Sequence, residues 1–171
     1  LIASQWAGSV GAKMIGTVSS NEKAELAKKN GCAFTINYKK ENVVEKVNEI
    51  TSGKGVSVVY DGVGKDTFYT SLECLDFRGM FVSFGQSSGM VPTVDLHKTF
   101  NPKSLYYTRP TLMHYTSTRN ELEQSSNLLF KKIQNKEIKE HIFRTINLKD
   151  AAEAHTLIQS RQSIGSIILK P

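Results

Sequence analysis

Two hydrophobic periods alternate along this chain. Short runs of apolar and β-branched residues recur at Ala12–Val18, Phe34–Asn37, Val56–Asp61, Gly79–Gly85, Ser104–Thr108, Ile142–Ile146 and Ser166–Leu169. Bounded by Gly, Asn and Ser, such runs read as strands buried on both faces. Between them the period lengthens to that of a helix. From Glu41 to Thr51 the spacing puts Val43, Val44, Val47 and Ile50 on one face. Lys65–Leu75, Asn120–Gln134 and Lys149–Arg161 also fit helices. Ser19 and Glu22 have the spacing of a capping box, opening a helix that stops at Asn30-Gly31. Leu1–Ala7 reads as helix too, but nothing caps it and Leu1 is not Met. The expectation is a helix entered in mid-element, with something upstream missing.

Strands alternating with helices imply βαβ crossovers and a mostly parallel sheet. The predicted fold is therefore a doubly wound α/β domain over residues 1–171. Such sheets bind ligands beyond the carboxyl ends of their strands, so the strand-end loops carry the candidate chemistry.

Three of those loops stand out. In domains of this architecture that prefer NAD, an acidic residue closes the second strand and holds the ribose hydroxyls. Here the corner Thr17-Val18-Ser19-Ser20-Asn21-Glu22-Lys23 offers small hydroxyls, with Lys23 one turn along. That leaves room for a 2′-phosphate and supplies a counter-charge and a helix N-terminus; Glu22 is better explained as closing the capping box, and an ordinary capped helix remains the alternative for the whole segment. The second loop, Asp61-Gly62-Val63-Gly64, has glycines that let a ligand approach the backbone, or that make a tight turn. The third, Phe84-Gly85-Gln86-Ser87-Ser88-Gly89, offers hydroxyls and free amides, or is a flexible glycine turn.

Composition narrows the function classes. With 171 residues, 39% hydrophobic and 22% charged, the chain is of globular type and long enough to bury roughly 70% of its unfolded surface. No apolar run approaches the ~20 residues needed to span a bilayer. Net charge is +6, but the lysines are scattered, as at Lys28-Lys29, Lys39-Lys40 and Lys131-Lys132, with no interleaved aromatic platform. A solvated basic face explains them better than a nucleic-acid partner. Cys32 and Cys74 have no metal spacing, and His97, His114, His141 and His155 have no paired ligand, so no metal site is expected. The expected setting is the reducing cytoplasm.

Taken in order, Gly11-Ala12-Lys13-Met14-Ile15-Gly16-Thr17-Val18, Ile36-Asn37-Tyr38, Val59-Tyr60-Asp61-Gly62-Val63-Gly64, Gly79-Met80-Phe81-Val82-Ser83-Phe84-Gly85 and Tyr107-Thr108-Arg109-Pro110-Thr111-Leu112 resemble the zinc-free, zeta-crystallin-like quinone oxidoreductases of the medium-chain dehydrogenase/reductase superfamily. The resemblance runs to Arg161 and Ser166-Ile167-Ile168-Leu169. It implies a Rossmann-type domain lacking its first strand and glycine-rich pyrophosphate loop, with the N-terminal GroES-like catalytic domain absent. It implies NADPH as cofactor, with Ser19, Ser20 and Lys23 at the 2′-phosphate and Tyr38 closing that pocket. Phe84, Gly85 and Ser87 would line the nicotinamide side, Pro110, Thr111 and Leu112 the same cleft, and Arg161 would assist near the C-terminus. Gly62 stands where the family more often has Ser, so a hydroxyl contact is lost there. The implied reaction is metal-free hydride transfer from NADPH to a quinone or conjugated carbonyl, in a homodimer, with the missing half supplied by a separate N-terminal chain if at all. No catalytic residue is assigned, because the family's substrate-side residues belong to the absent domain. The alternative is an inactive remnant or a basic RNA-binding module.

Overall fold

The computed structural model of the chain describes residues 1–160 and 163–171. In chain order the elements are α1 (Ile2–Ser9), β1 (Met14–Val18), α2 (Asn21–Lys29), β2 (Cys32–Asn37), α3 (Val43–Thr51), β3 (Val56–Asp61), α4 (Phe68–Glu73) and β4 (Leu75–Ser83). There follow α5 (Leu96–Phe100), a 3₁₀ turn at Asn101–Lys103, β5 (Tyr106–Thr108), α6 (Leu112–Tyr115), α7 (Arg119–Gln134), β6 (Ile142–Asn147), α8 (Ala151–Gln159) and β7 (Ser166–Lys170). Backbone packing divides the chain into two compact units, Leu1–Asn37 with Ser126–Pro171, and Tyr38–Ser125.

In the first unit β1 and β2 pair in parallel, from Met14 opposite Cys32 to Val18 opposite Asn37. Ile36, Cys32 and Ala27 are buried there. Helix α2 connects the two strands; its C-cap Asn30 folds its side-chain amide back onto the Leu26 carbonyl at 2.8 Å. A second parallel pair, β6 with β7, is linked through α8. Helix α1 has no side-chain cap, as its sequence predicts.

The second unit holds a three-stranded parallel sheet in the order β3-β4-β5. Its core is Phe68, Leu72, Leu75 and Phe81, with Val56, Val59, Val91, Val94, Phe100 and Leu105 packed around it. Phe81 meets Phe68 edge-on at 5.4 Å and stacks on Tyr107 at 5.6 Å between ring centroids. In α3 the apolar face is oriented as its spacing requires, with Val47 buried and Val43, Val44 and Ile50 half-buried. Asn42 caps it, its side-chain oxygen accepting from the amides of Val44 and Glu45 at 3.0 and 3.3 Å.

All strand pairing is parallel, as expected of the α/β class, but the described strands form three separate sheets rather than one. Among the described residues β1 and β3 each keep one edge unpaired. Several boundaries also differ from the sequence pattern. Helix α4 is shorter than Lys65–Leu75 at both ends, because Thr67 turns its hydroxyl toward Asp61 and Leu75 opens β4 opposite Val56. The register then jumps to Met80 opposite Val58, and Arg78 takes up the extra length at a left-handed φ of 57°. Helices α5 and α6 were not legible at all, since five and four residues are too few to display a helical period.

Candidate functional site

In the first unit, the candidate anion corner lies where β1 runs into α2. The N-cap is Ser20, in extended backbone, and its hydroxyl oxygen accepts from the Lys23 amide at 3.2 Å. This corrects the capping-box reading. The cap sits one residue later than Ser19, so Glu22 falls at the second helical position, where it is exposed. Ser19, Ser20 and Lys23 are half-buried around the helix start. The end of β2 is tied to the same place, Asn37 donating from its side-chain amide to the Asn21 side-chain oxygen at 3.3 Å. The corner thus combines the positive end of a nine-residue helix, two hydroxyls and an ammonium group, with no carboxylate at the strand end. A hydroxyl that accepts one bond still has its own proton to donate. That donor set suits a doubly charged phosphate and lacks the acid that would hold a ribose diol.

In the second unit, the strand-end loops after β3 and β4 are built into one piece, organised by Asp61. Asp61 is 5% exposed. One carboxylate oxygen accepts from the amides of Val63 and Gly64 at 2.8 and 2.9 Å. The other accepts from the hydroxyls of Thr67 and Ser71, both at 2.7 Å. Burial pushes this carboxyl up, but the hydrogen bonds from Thr67, Gly64, Ser71 and Val63 together hold it below the ordinary carboxylate value. The loop after β4 then closes over the turn. Phe84 N–H donates to the Asp61 carbonyl at 2.9 Å, Ser87 N–H to Gly62 at 3.3 Å, Ser88 N–H to Val63 at 2.8 Å, and Lys65 N–H to Gly89 at 3.1 Å.

These bonds revise what the two loops offer. The amides of Val63, Gly64, Ser87 and Ser88 are occupied within the pair, so the loop after β4 is not the set of free amides its sequence suggested. The glycines serve a close approach, but of one loop to the other. A Cβ on Gly85 would stand 2.5 Å from the Gly62 carbonyl oxygen, and one on Gly64 would strike the Gly89 carbonyl. What the pair exposes is side chain: Phe84 is 58% exposed, and Ser87 is exposed beside it. The end of β5 is pinned to the same region. Arg109 donates from Nη1 to the Ser83 carbonyl at 2.9 Å, just before half-buried Pro110 and exposed Thr111 and Leu112.

The predicted residues therefore fall into two groups. Ser19, Ser20 and Lys23 cluster in the first unit, while Gly62, Phe84, Gly85 and Ser87 cluster in the second, with Pro110, Thr111 and Leu112 following β5. Tyr38 lies at the start of the second unit and is 45% exposed. Arg161 lies outside the described residues. Sequence reading gave no role to Asp61, Thr67, Ser71 or Arg109; the legible signal was an Asp ending a buried strand just before a G-x-G turn. Burial, reinforced by Glu73 and opposed by Lys103, pushes the Cys74 thiol up to about 11 and so disfavours the thiolate. Among the described residues no group of three or more His, Cys, Asp or Glu could hold a metal ion, and no helix is long and apolar enough to cross a membrane.

Parallel α/β units with loops at the strand carboxyl ends match the ligand-binding arrangement of doubly wound α/β folds, and comparison with known proteins supplies the class. Residues 1–131 match the family model described as zinc-binding dehydrogenase, and the chain belongs to that family. Within it, the chain corresponds to the C-terminal portion of the quinone oxidoreductases of the medium-chain dehydrogenase/reductase superfamily. It is 49% identical over 173 residues to quinone oxidoreductase 1 of Escherichia coli K12, covering all of this chain and 53% of that protein. It is 46% identical over 167 residues to a 2-haloacrylate reductase from a Burkholderia species, covering 97% of this chain and 50% of that one. The crystal structure of E. coli quinone oxidoreductase complexed with NADPH superposes with a TM-score of 0.94 at 50% identity, covering 99% of this chain and 53% of that one. The chain spans about half the length of the relatives it matches.

Proposed function

We propose that residues 1–171 form the NADPH-binding portion of an oxidoreductase that reduces a quinone or a similar conjugated, electron-poor substrate. The observation that carries this reading is the corner between β1 and α2, where hydroxyls, an ammonium group and a helix N-terminus stand in place of a carboxylate. Support for the substrate class comes from the relatives' names, since a quinone and a 2-haloacrylate both present a double bond conjugated to an electron-withdrawing carbonyl group. NADPH, when bound, supplies the hydride. The chain's own residues bind and orient. Ser19, Ser20 and Lys23 hold the 2′-phosphate. Phe84, Gly85 and Ser87 present the strand-end surface to the nicotinamide, with Gly62 beneath, and Pro110, Thr111 and Leu112 line the approach. No proton-transfer residue is assigned to this chain.

The test is equilibrium titration of the purified chain with NADPH, NADH and 2′,5′-ADP. A charge-assisted contact of about 1.5–3 kcal/mol corresponds to roughly 10–100-fold tighter binding of NADPH than of NADH. Lys23→Ala should remove most of that preference and leave NADH nearly unchanged. Equal affinity for the two cofactors, or equal loss of both in the variant, would overturn the reading.

A further inference from the structure

Helix α2 ends on Asn30-Gly31, the one Asn-Gly pair in the chain. Such a pair is chemically weak, because glycine has no side chain to keep its backbone nitrogen off the carboxamide carbon of the residue before it. Attack there closes a five-membered imide. The structure withholds that attack by geometry and not by shielding, since Gly31 is exposed and Asn30 only half-buried. Ring closure needs Asn30 Cβ to eclipse the Gly31 nitrogen, and at a ψ of 24° the two are far from eclipsed. Three contacts hold that angle. Asn30 Nδ2 donates back to the Leu26 carbonyl at 2.8 Å, and the Gly31 N–H donates to the Lys28 carbonyl at 3.1 Å. Gly31 itself, at a left-handed φ of 98°, lies so close to α1 that a Cβ there would stand 2.7 Å from the Ser4 carbonyl oxygen. Side chains in turn tie α1 down. Gln5 exchanges two hydrogen bonds with the Lys139 backbone, donating from Nε2 at 2.9 Å and accepting at Oε1 at 2.8 Å. Lys132 Nζ stands 5.4 Å from the centre of the Trp6 ring and donates to the Ser9 hydroxyl at 3.0 Å. All of these residues belong to the first unit.

We propose that Asn30 is a deamidation site guarded by α1: while the helix is docked the side chain stays an amide, and when it lifts away the turn converts irreversibly to aspartate and isoaspartate. With Gly31 released, the peptide turns about the Asn30 Cα–C bond. The Gly31 nitrogen gives its proton to water or hydroxide and bonds to Asn30 Cγ, the Cγ–Nδ2 bond breaks, and ammonia leaves. One water then opens the imide at either carbonyl, giving aspartate or isoaspartate, and no electrons change hands. The product reinforces the opening. It removes the amide that satisfied the Leu26 carbonyl and puts a carboxylate at the negative end of the α2 dipole. The isoaspartate form also lengthens the backbone by one carbon where Gly31 meets α1. The site is thus a covalent record of how long α1 has been off its seat.

The experiment incubates the 171-residue chain in mildly alkaline buffer and reads the fraction of Asn30 converted by peptide mass mapping. The parent should react far more slowly than the same chain unfolded in urea, which gives the unguarded rate. Gln5→Ala combined with Lys132→Ala cuts the ties of α1 without altering the Asn30-Gly31 turn, and should speed conversion about 5–10-fold. Trp6 is the sole tryptophan and lies in α1, so its fluorescence follows that helix. Should the double variant lose its helical circular dichroism, the parent in graded urea decides: conversion should rise with the Trp6 transition, ahead of the global loss of circular dichroism. A parent as fast as the unfolded chain, or a folded double variant no faster than the parent, would overturn the proposal. So would conversion that follows only global unfolding, or another asparagine reacting ahead of Asn30 in the opened chain.

Discussion

Asp61 illustrates how much one residue organises. A buried carboxylate is tolerated only when hydrogen-bonded, and this one receives two amides and two hydroxyls. Because those bonds hold its folded-state pKa below the unfolded value, it contributes stability that is fully present above about pH 4. That contribution is lost as pH falls through the depressed folded value. Asp61→Asn keeps an acceptor for the Val63 and Gly64 amides but turns an NH₂ toward Thr67 and Ser71, whose hydroxyls must rotate to accept. The expected cost at pH 7 is about 1–2 kcal/mol. Urea midpoints followed from pH 7 to pH 3 should show the parent losing stability more steeply than the variant in the acid limb. Parallel curves would mean that Asp61 is not the titrating anchor. An aspartate before a G-x-G turn was visible in the sequence. Its partners at Thr67 and Ser71 were not, because only the path of α4 back past the strand end brings them within reach.

At the scale of elements, the well-read parts are those whose burial is set locally. β1, β2 and β3 lie where the apolar runs place them, and α3 shows its valine face because Asn42 starts it and Ser52, at a left-handed φ of 55°, stops it. The capping box failed for a local reason as well: two adjacent serines offer the same chemistry, and Ser20, in extended backbone, takes the N-cap. Strand β5 has a further consequence. It is three residues long, pairs only with β4 among the described strands, and carries the exposed aromatic Tyr106 with no charge within the strand. An uncharged open edge is a template for another strand, consistent with the homodimer the family resemblance implies. Light scattering at micromolar concentration should give about twice the 19.0 kDa chain mass. A mass that stays at one chain as concentration rises would count against pairing through this edge.

For the molecule as a whole, the proportion of the relatives it spans sets the expectation for activity. The chain covers about half of the quinone oxidoreductases it matches. The described strands fall into three sheets, and large apolar side chains such as Tyr60, Phe77, Leu112 and Met113 are exposed. Incubated with NADPH and a soluble benzoquinone, the isolated chain should show no turnover above background. Activity should appear only when a purified N-terminal half from a full-length relative is added. Robust oxidation of NADPH by the chain alone would show that these residues already contain a complete active site. The sequence by itself determined the α/β class, the parallel connections and the family, since each depends on patterns and motifs of residues close together in the chain. The tertiary structure decided the rest: that the strand-end amides serve the neighbouring loop, that Asp61 and Arg109 hold those loops, and that the Phe84 ring occupies the space above Gly62. Apart from the side-chain bonds Asp61 makes within its own turn and to α4, such contacts join residues 20 or more positions apart, and periodicity and spacing carry no information about which atoms meet across that distance.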